Sequence, residues 1–159
     1  MSKPLAEAVG KALQAQHMIL ATAESCTGGW VAKLITDIPG SSAWFERGFV
    51  TYTNTAKQEM LGVAANTLEQ HGAVSLPTVR EMTMGAIAHS HANAALAISG
   101  IAGPGGGSAE KPVGTVCFAW QIPGKELLSR SKHFDGDREA VRYQAAEYAL
   151  QQLLELLQL

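Results

Sequence analysis

A recurring order constrains this chain more than any other feature: an apolar run, a turn of small or capping residues, then apolar positions at helical spacing. Leu5, Val9 and Leu13 repeat every four residues, with Glu7, Lys11 and Gln14 on other faces, which predicts an opening amphipathic helix. Residues 18–23 read as a short buried strand, and Trp30, Val31, Leu34 and Ile35 as a helix stopped by Pro39-Gly40. Phe49, Val50, Thr51 and Tyr52 favour a strand within 44–53, and Asn54 is a good N-cap for a helix ending near Gly62. Asn66 and Gly72 bracket another helical turn, and Ser75 and Pro77 open a helix with Val79, Met82 and Ala86 on its core face. The compact run 94–98 reads as a central strand feeding a glycine- and proline-rich loop to Pro112. Two strands, 113–120 and 127–134, follow with too short a connection for a parallel crossover, so they pair antiparallel. A long helix from Asp137 closes the chain. The expected fold is α/β: one domain over 1–159, a three-layer α/β/α sandwich on a mixed, mainly parallel sheet with one antiparallel hairpin near the C-terminus.

Bulk properties exclude several classes. At 159 residues there is room for one core, and 47% hydrophobic with 16% charged residues argues against disorder. A net charge of −2, without a Lys/Arg run, gives no electrostatic footprint for nucleic acid. No apolar stretch approaches the ~20 residues that span a bilayer, and the start lacks a signal-peptide core. Two distant cysteines, Cys26 and Cys117, suit a reducing compartment, so a cytoplasmic location is expected.

Three places carry chemistry. Ser25 lies where a buried strand turns into a glycine-started helix, the end of an α/β sheet where ligands bind. Free N–H groups at that helix start suit an oxyanion, and Gly28 and Gly29 allow close approach. Ser25 or Thr27 as a simple helix cap is the plain alternative, G-x-S-x-G is absent, and Cys26 is a rival nucleophile without a marked histidine partner. Lys57, in the first turn of a helix, faces the positive end of the dipole, worth roughly 0.3–1 kcal/mol against its charge. Burial pushes the same way, towards the neutral amine a general base requires. A solvated lysine over Tyr52, or one paired with Glu59, is the alternative.

The third place is the loop Ser99-Gly100-Ile101-Ala102-Gly103-Pro104-Gly105-Gly106-Gly107-Ser108. It matches neither a P-loop nor a G-x-G-x-x-G fingerprint, yet suits close approach to ribose or phosphate; a flexible connection is the alternative. Arg138 and Arg142, four apart at a helix start, are like charges on one face beside a positive helix end. Either a substrate phosphate or the carboxylates Asp135, Asp137 and Glu139 compensate them. His89 and His91 point to different sides of a helix, and no Cys/His cluster offers a metal site.

Together these motifs resemble the CinA C-terminal domain family, through Ala23-Glu24-Ser25-Cys26-Thr27-Gly28-Gly29, Gly48-Phe49-Val50-Thr51-Tyr52 with Lys57, Ile98 to Gly106, and Pro112-Val113-Gly114-Thr115-Val116. The resemblance spans nearly the whole chain. It implies a three-layer α/β/α domain that hydrolyses the carboxamide of nicotinamide mononucleotide, with no metal and no cofactor. It puts the nucleophile on Ser25, the base on Lys57 and a helper on Tyr52. Substrate contacts then fall on Glu24, Thr27, Gly28, Gly29, Ser99, Gly100, Gly103, Thr115, Arg138 and Arg142. Longer relatives have an additional N-terminal domain resembling molybdopterin-binding proteins, which this chain lacks, so functions needing that domain are not expected. A small nucleotide is the expected partner, with neither nucleic acid nor membrane, and a homodimer is compatible with the family. A catalytically silent nucleotide- or partner-binding module of the same fold is the competing reading.

Overall fold

The computed structural model describes residues 2–159. In chain order it contains α1 (Ser2–Ala15), β1 (Leu20–Glu24), α2 (Trp30–Thr36), β2 (Phe45–Val50), α3 (Asn54–Leu61), α4 (Ala65–His71), α5 (Leu76–Ala88), β3 (Ala94–Gly100), β4 (Thr115–Gln121), β5 (Leu128–His133) and α6 (Arg138–Leu157). A single 3-10 turn, Ser41–Ala43, precedes β2. The sheet order is β2-β1-β3-β4-β5. β1 pairs in parallel with β2 and β3, whereas β3–β4 and β4–β5 are antiparallel, so four strands share one direction and β4 opposes them. The expected mixed sheet and its late hairpin are both present.

Side-chain alternation along the strands divides the interior into two unlike layers. Leu20, Leu96, Ile98, Val116, Phe118 and Trp120 face α1, α2 and α6. There Phe118 stacks on Trp120, Tyr148 meets both rings edge-on, and Trp120 Nε1 donates to the Ala149 carbonyl at 3.0 Å. The other face presents Ala21, Ala23, Ala95, Ala97 and Ala119 to the helices α3, α4 and α5. Methyl-sized side chains let α5 settle close to the strands, and α3 packs in turn on α5.

Capping differs from the sequence reading by one residue. Thr53, not Asn54, caps α3, its hydroxyl accepting from Ala56 N–H at 3.1 Å; both residue types cap well, and the backbone at Thr53 is extended. Ser75 and Asp137 cap α5 and α6.

The contact between α3 and α5 is backbone-tight. A Cβ at Gly85 would fall 1.9 Å from the Leu61 carbonyl oxygen. In an exposed helix Gly→Ala gains about 1 kcal/mol. Here Gly85→Ala should instead destabilise by roughly 1–3 kcal/mol, the cost of overpacking, as read from the midpoint of a urea titration. An unchanged or higher midpoint would contradict this packing.

Candidate active site

The carboxyl ends of β1, β2 and β3 meet at one edge of the sheet, where α/β folds bind ligands. Ser25 N–H donates to Ile98 O at 3.0 Å, and Thr51 N–H to Glu24 O at 2.8 Å, so the three strand ends are tied together. Thr53 starts α3 immediately after β2, which places Lys57 one turn in and pointing back at Ser25. Lys57 Nζ and Ser25 Oγ lie 3.0 Å apart, and Nζ donates to the Thr51 carbonyl at 3.1 Å. Lys57 is 1% exposed and Ser25 6%. Burial holds the Lys57 amine below the ordinary lysine range. An amine and a hydroxyl in contact, away from water, are the arrangement that a base–nucleophile pair requires.

The turn after Ser25 is organised differently from the sequence expectation. Glu24, buried at 1% exposure, accepts from Thr27 Oγ1 at 2.6 Å, Val31 N–H at 2.9 Å and Ala32 N–H at 3.0 Å. Its carboxylate therefore occupies the start of α2, where an oxyanion had been expected. The Glu24 carboxylate and the Thr27 hydroxyl thus bond to each other in shaping the turn. Among the described residues, no acceptor meets the N–H groups of Cys26 and Thr27, directly after Ser25. Two adjacent amides without an acceptor beside a hydroxyl are the kind of donors an oxyanion needs.

A cavity of about 290 Å³ opens over Ser25 and Lys57, with Cys26, Tyr52, Ser99, Gly100, Gly103 and Arg138 on its wall. Lys57 and Arg138 are the basic side chains there, and no carboxylate lines it among the described residues. Arg138 Nη1 donates to Gly103 O at 2.7 Å and Nη2 to the Tyr52 hydroxyl at 2.8 Å, joining the glycine loop to the end of β2. Tyr52, 58% exposed, thus stands at the rim bonded to Arg138, with no hydrogen bond to Lys57 or Ser25. Gly100 admits Cys26: a Cβ there would lie 3.0 Å from its Sγ and 2.7 Å from Val116 Cγ2. The Cys26 thiol is pushed up to about 12 by burial and then by the Glu24 charge, which disqualifies it as nucleophile at neutral pH.

Several expected contacts lie elsewhere. Thr27, Gly28, Gly29 and Arg142 border a separate cleft with Trp30 and Lys33. The Thr115 hydroxyl donates to Pro112 O at 2.7 Å, holding the exit of the glycine loop. The arginine pair is compensated by main-chain carbonyls, Gly103 for Arg138 and Cys26 with Thr27 for Arg142, and not by nearby carboxylates. Asn54, read from the sequence only as a helix cap, lies on the cavity wall with Ala73 and Val74, which sequence reasoning did not single out. With Thr53 as the cap, the Asn54 side chain is free of that duty, whereas Ala73 and Val74 carry no chemical signal. No three His, Cys, Asp or Glu side chains converge as a metal site among the described residues.

Comparison with known proteins agrees with this architecture. Residues 2–157 match the family described as CinA C-terminal domain. The chain is 62% identical over 149 residues to nicotinamide-nucleotide amidohydrolase PncC of Escherichia coli K12, covering 94% of this chain and 90% of that one. It is 51% identical over 151 residues to a CinA-like protein of Akkermansia muciniphila, covering 95% of this chain and 36% of that longer protein. The crystal structure of a CinA superfamily protein from Klebsiella pneumoniae superimposes with a TM-score of 0.95 at 41% identity, over 99% of this chain and 98% of the other. Fold, motif order and these similarities agree: the chain belongs to the CinA C-terminal domain family.

Proposed function

We propose that this protein is a cytoplasmic amidohydrolase that converts nicotinamide mononucleotide and water to nicotinate mononucleotide and ammonia. The 3.0 Å contact between a buried, charge-disfavoured lysine amine and a serine hydroxyl inside one cavity carries the reading of the chemistry. The substrate is that of the relative named nicotinamide-nucleotide amidohydrolase, which matches along 94% of this chain. A cavity with the Arg138 guanidinium on its wall and no carboxylate among the described residues favours a ligand with a phosphate. Two buried free cysteines fit a reducing compartment, and among the described residues no helix is long and apolar enough to cross a membrane.

In the proposed reaction, Ser25 Oγ attacks the carboxamide carbon while neutral Lys57 takes its proton. The oxyanion rests against the N–H groups of Cys26 and Thr27; one such donor is worth ~2.7–4 kcal/mol elsewhere. The Lys57 ammonium passes its proton to the amide nitrogen, and collapse breaks the carbon–nitrogen bond so that ammonia leaves. Water then enters the vacated position, gives a proton to Lys57 and attacks the Ser25 ester. The acid leaves as Oγ recovers the proton. Ser99, Gly100, Gly103 and Arg138 hold the ribose and phosphate, and Tyr52 orients Arg138.

Ser25→Ala should reduce ammonia release about 10³-fold or more, with an unchanged far-UV spectrum; full turnover by this variant sinks the serine mechanism. The base must be neutral to act, so kcat/KM should be retained above the Lys57 pKa and fall as pH drops through it. Because burial depresses that pKa, the acidic limb should lie below the ordinary lysine value of 10.5 in a pH–rate profile; a limb at that value would contradict the assignment. Arg138→Gln should raise KM about 10-fold or more at nearly constant kcat, the loss of a charge-assisted contact. An unchanged KM would remove Arg138 from the substrate contacts.

A further inference from the structure

The turn that carries Ser25 lies between two openings: the catalytic cavity, with Cys26 on its wall, and the cleft bordered by Arg142 and Trp30. Arg142 Nε donates to Cys26 O at 2.8 Å, and Nη2 reaches Thr27 O at 3.4 Å. Its guanidinium carbon lies 5.7 Å from the Trp30 ring centroid, and a Cβ on Gly28 would come within 3.1 Å of Nη2. The guanidinium is thereby confined by an aromatic face and a bare stretch of backbone.

A trans peptide is planar, with its C=O and N–H directed oppositely. Holding the Cys26 carbonyl therefore fixes the Thr27 N–H, which belongs to the same peptide unit, in the direction away from Arg142. A cation on the carbonyl also polarises the unit and strengthens that N–H as a donor. The next peptide is fixed likewise: its carbonyl, Thr27 O, meets Nη2, and its N–H, on Gly28, donates to Ser25 O at 3.0 Å. Glu24 secures the same turn through Thr27 Oγ1.

We infer that Arg142 is a positioning residue: it orients and polarises the Cys26–Thr27 peptide as an oxyanion donor, and it is not a ligand of the substrate's phosphate. This rests on the amidohydrolase reading above. Arg138 and Arg142, four residues apart, thus have opposite kinetic signatures, one in substrate binding and the other in the chemical step.

The test is steady-state kinetics of Arg142→Gln and Arg142→Lys on nicotinamide mononucleotide, beside thermal unfolding of each. Both variants should lose kcat, about 100-fold for Arg142→Gln as expected for a misplaced catalytic group, with KM within about threefold of wild type. The lysine variant keeps a cation and a long side chain, so it serves if the glutamine variant does not fold. A KM raised 10-fold or more at wild-type kcat would make Arg142 a phosphate ligand and overturn the inference, as would unchanged kinetics. Labelling by diisopropyl fluorophosphate separates this result from the substrate assignment. In that reaction the Ser25 Oγ–phosphorus bond forms, fluoride leaves and Lys57 takes the proton. If wild type releases no ammonia from the nucleotide, the substrate reading fails, yet labelling still decides: slowing about 10-fold or more in Arg142→Lys supports the inference, and a wild-type rate refutes it.

Discussion

A lysine amine, kept from water and set against a serine hydroxyl, is the interaction around which this fold is arranged. Burying a cation costs free energy, and the cost falls when the group is neutral. Lys57 meets Ser25 Oγ and the Thr51 carbonyl with no carboxylate on the cavity wall among the described residues, an environment that disfavours its ammonium form. The scaffold sustains that environment from a distance. Alanines on one sheet face bring α5 close, and Gly85 lets α3 rest on α5 through the Leu61 carbonyl. α3 carries Lys57 to the end of β1.

A second constraint acts on the turn after Ser25, which is held from both sides. Inside, the Glu24 carboxylate collects a hydroxyl and two amides from Thr27, Val31 and Ala32. Outside, Arg142 takes two carbonyls. Among the described residues, nothing accepts from the amides of Cys26 and Thr27. Electrostatic stabilisation of a transition state depends on donors that need not reorganise during the reaction. Two ionic side chains thus stiffen a segment with no regular secondary structure of its own.

Much of this was legible in the chain. The run 94–98 read as a central strand because both its faces are apolar, and the short link between the last strands required antiparallel pairing. Ser25 and Lys57 stood out as a residue at a strand-to-helix turn and a lysine in a first helical turn. Roles decided by tertiary contacts were less legible. A carboxylate beside a nucleophile reads as a ligand contact, and Glu24 became a clamp only once α2 supplied its amides. Thr53 and Asn54 both cap well, so residue type alone did not choose between them. Arg138 and Arg142 looked alike four residues apart, and only the glycine loop on one side and the Ser25 turn on the other separate them.

The state of the Lys57 amine is the claim on which the rest stands. Side-chain NMR titration of the lysine Cε and Nζ resonances, assigned by a Lys57→Arg variant, reads it directly. The account predicts that one lysine titrates at lower pH than the others and that its signal disappears in this variant. If Lys57 instead stays an ammonium up to the ordinary lysine value of 10.5, together with the surface lysines, the base in this account does not exist.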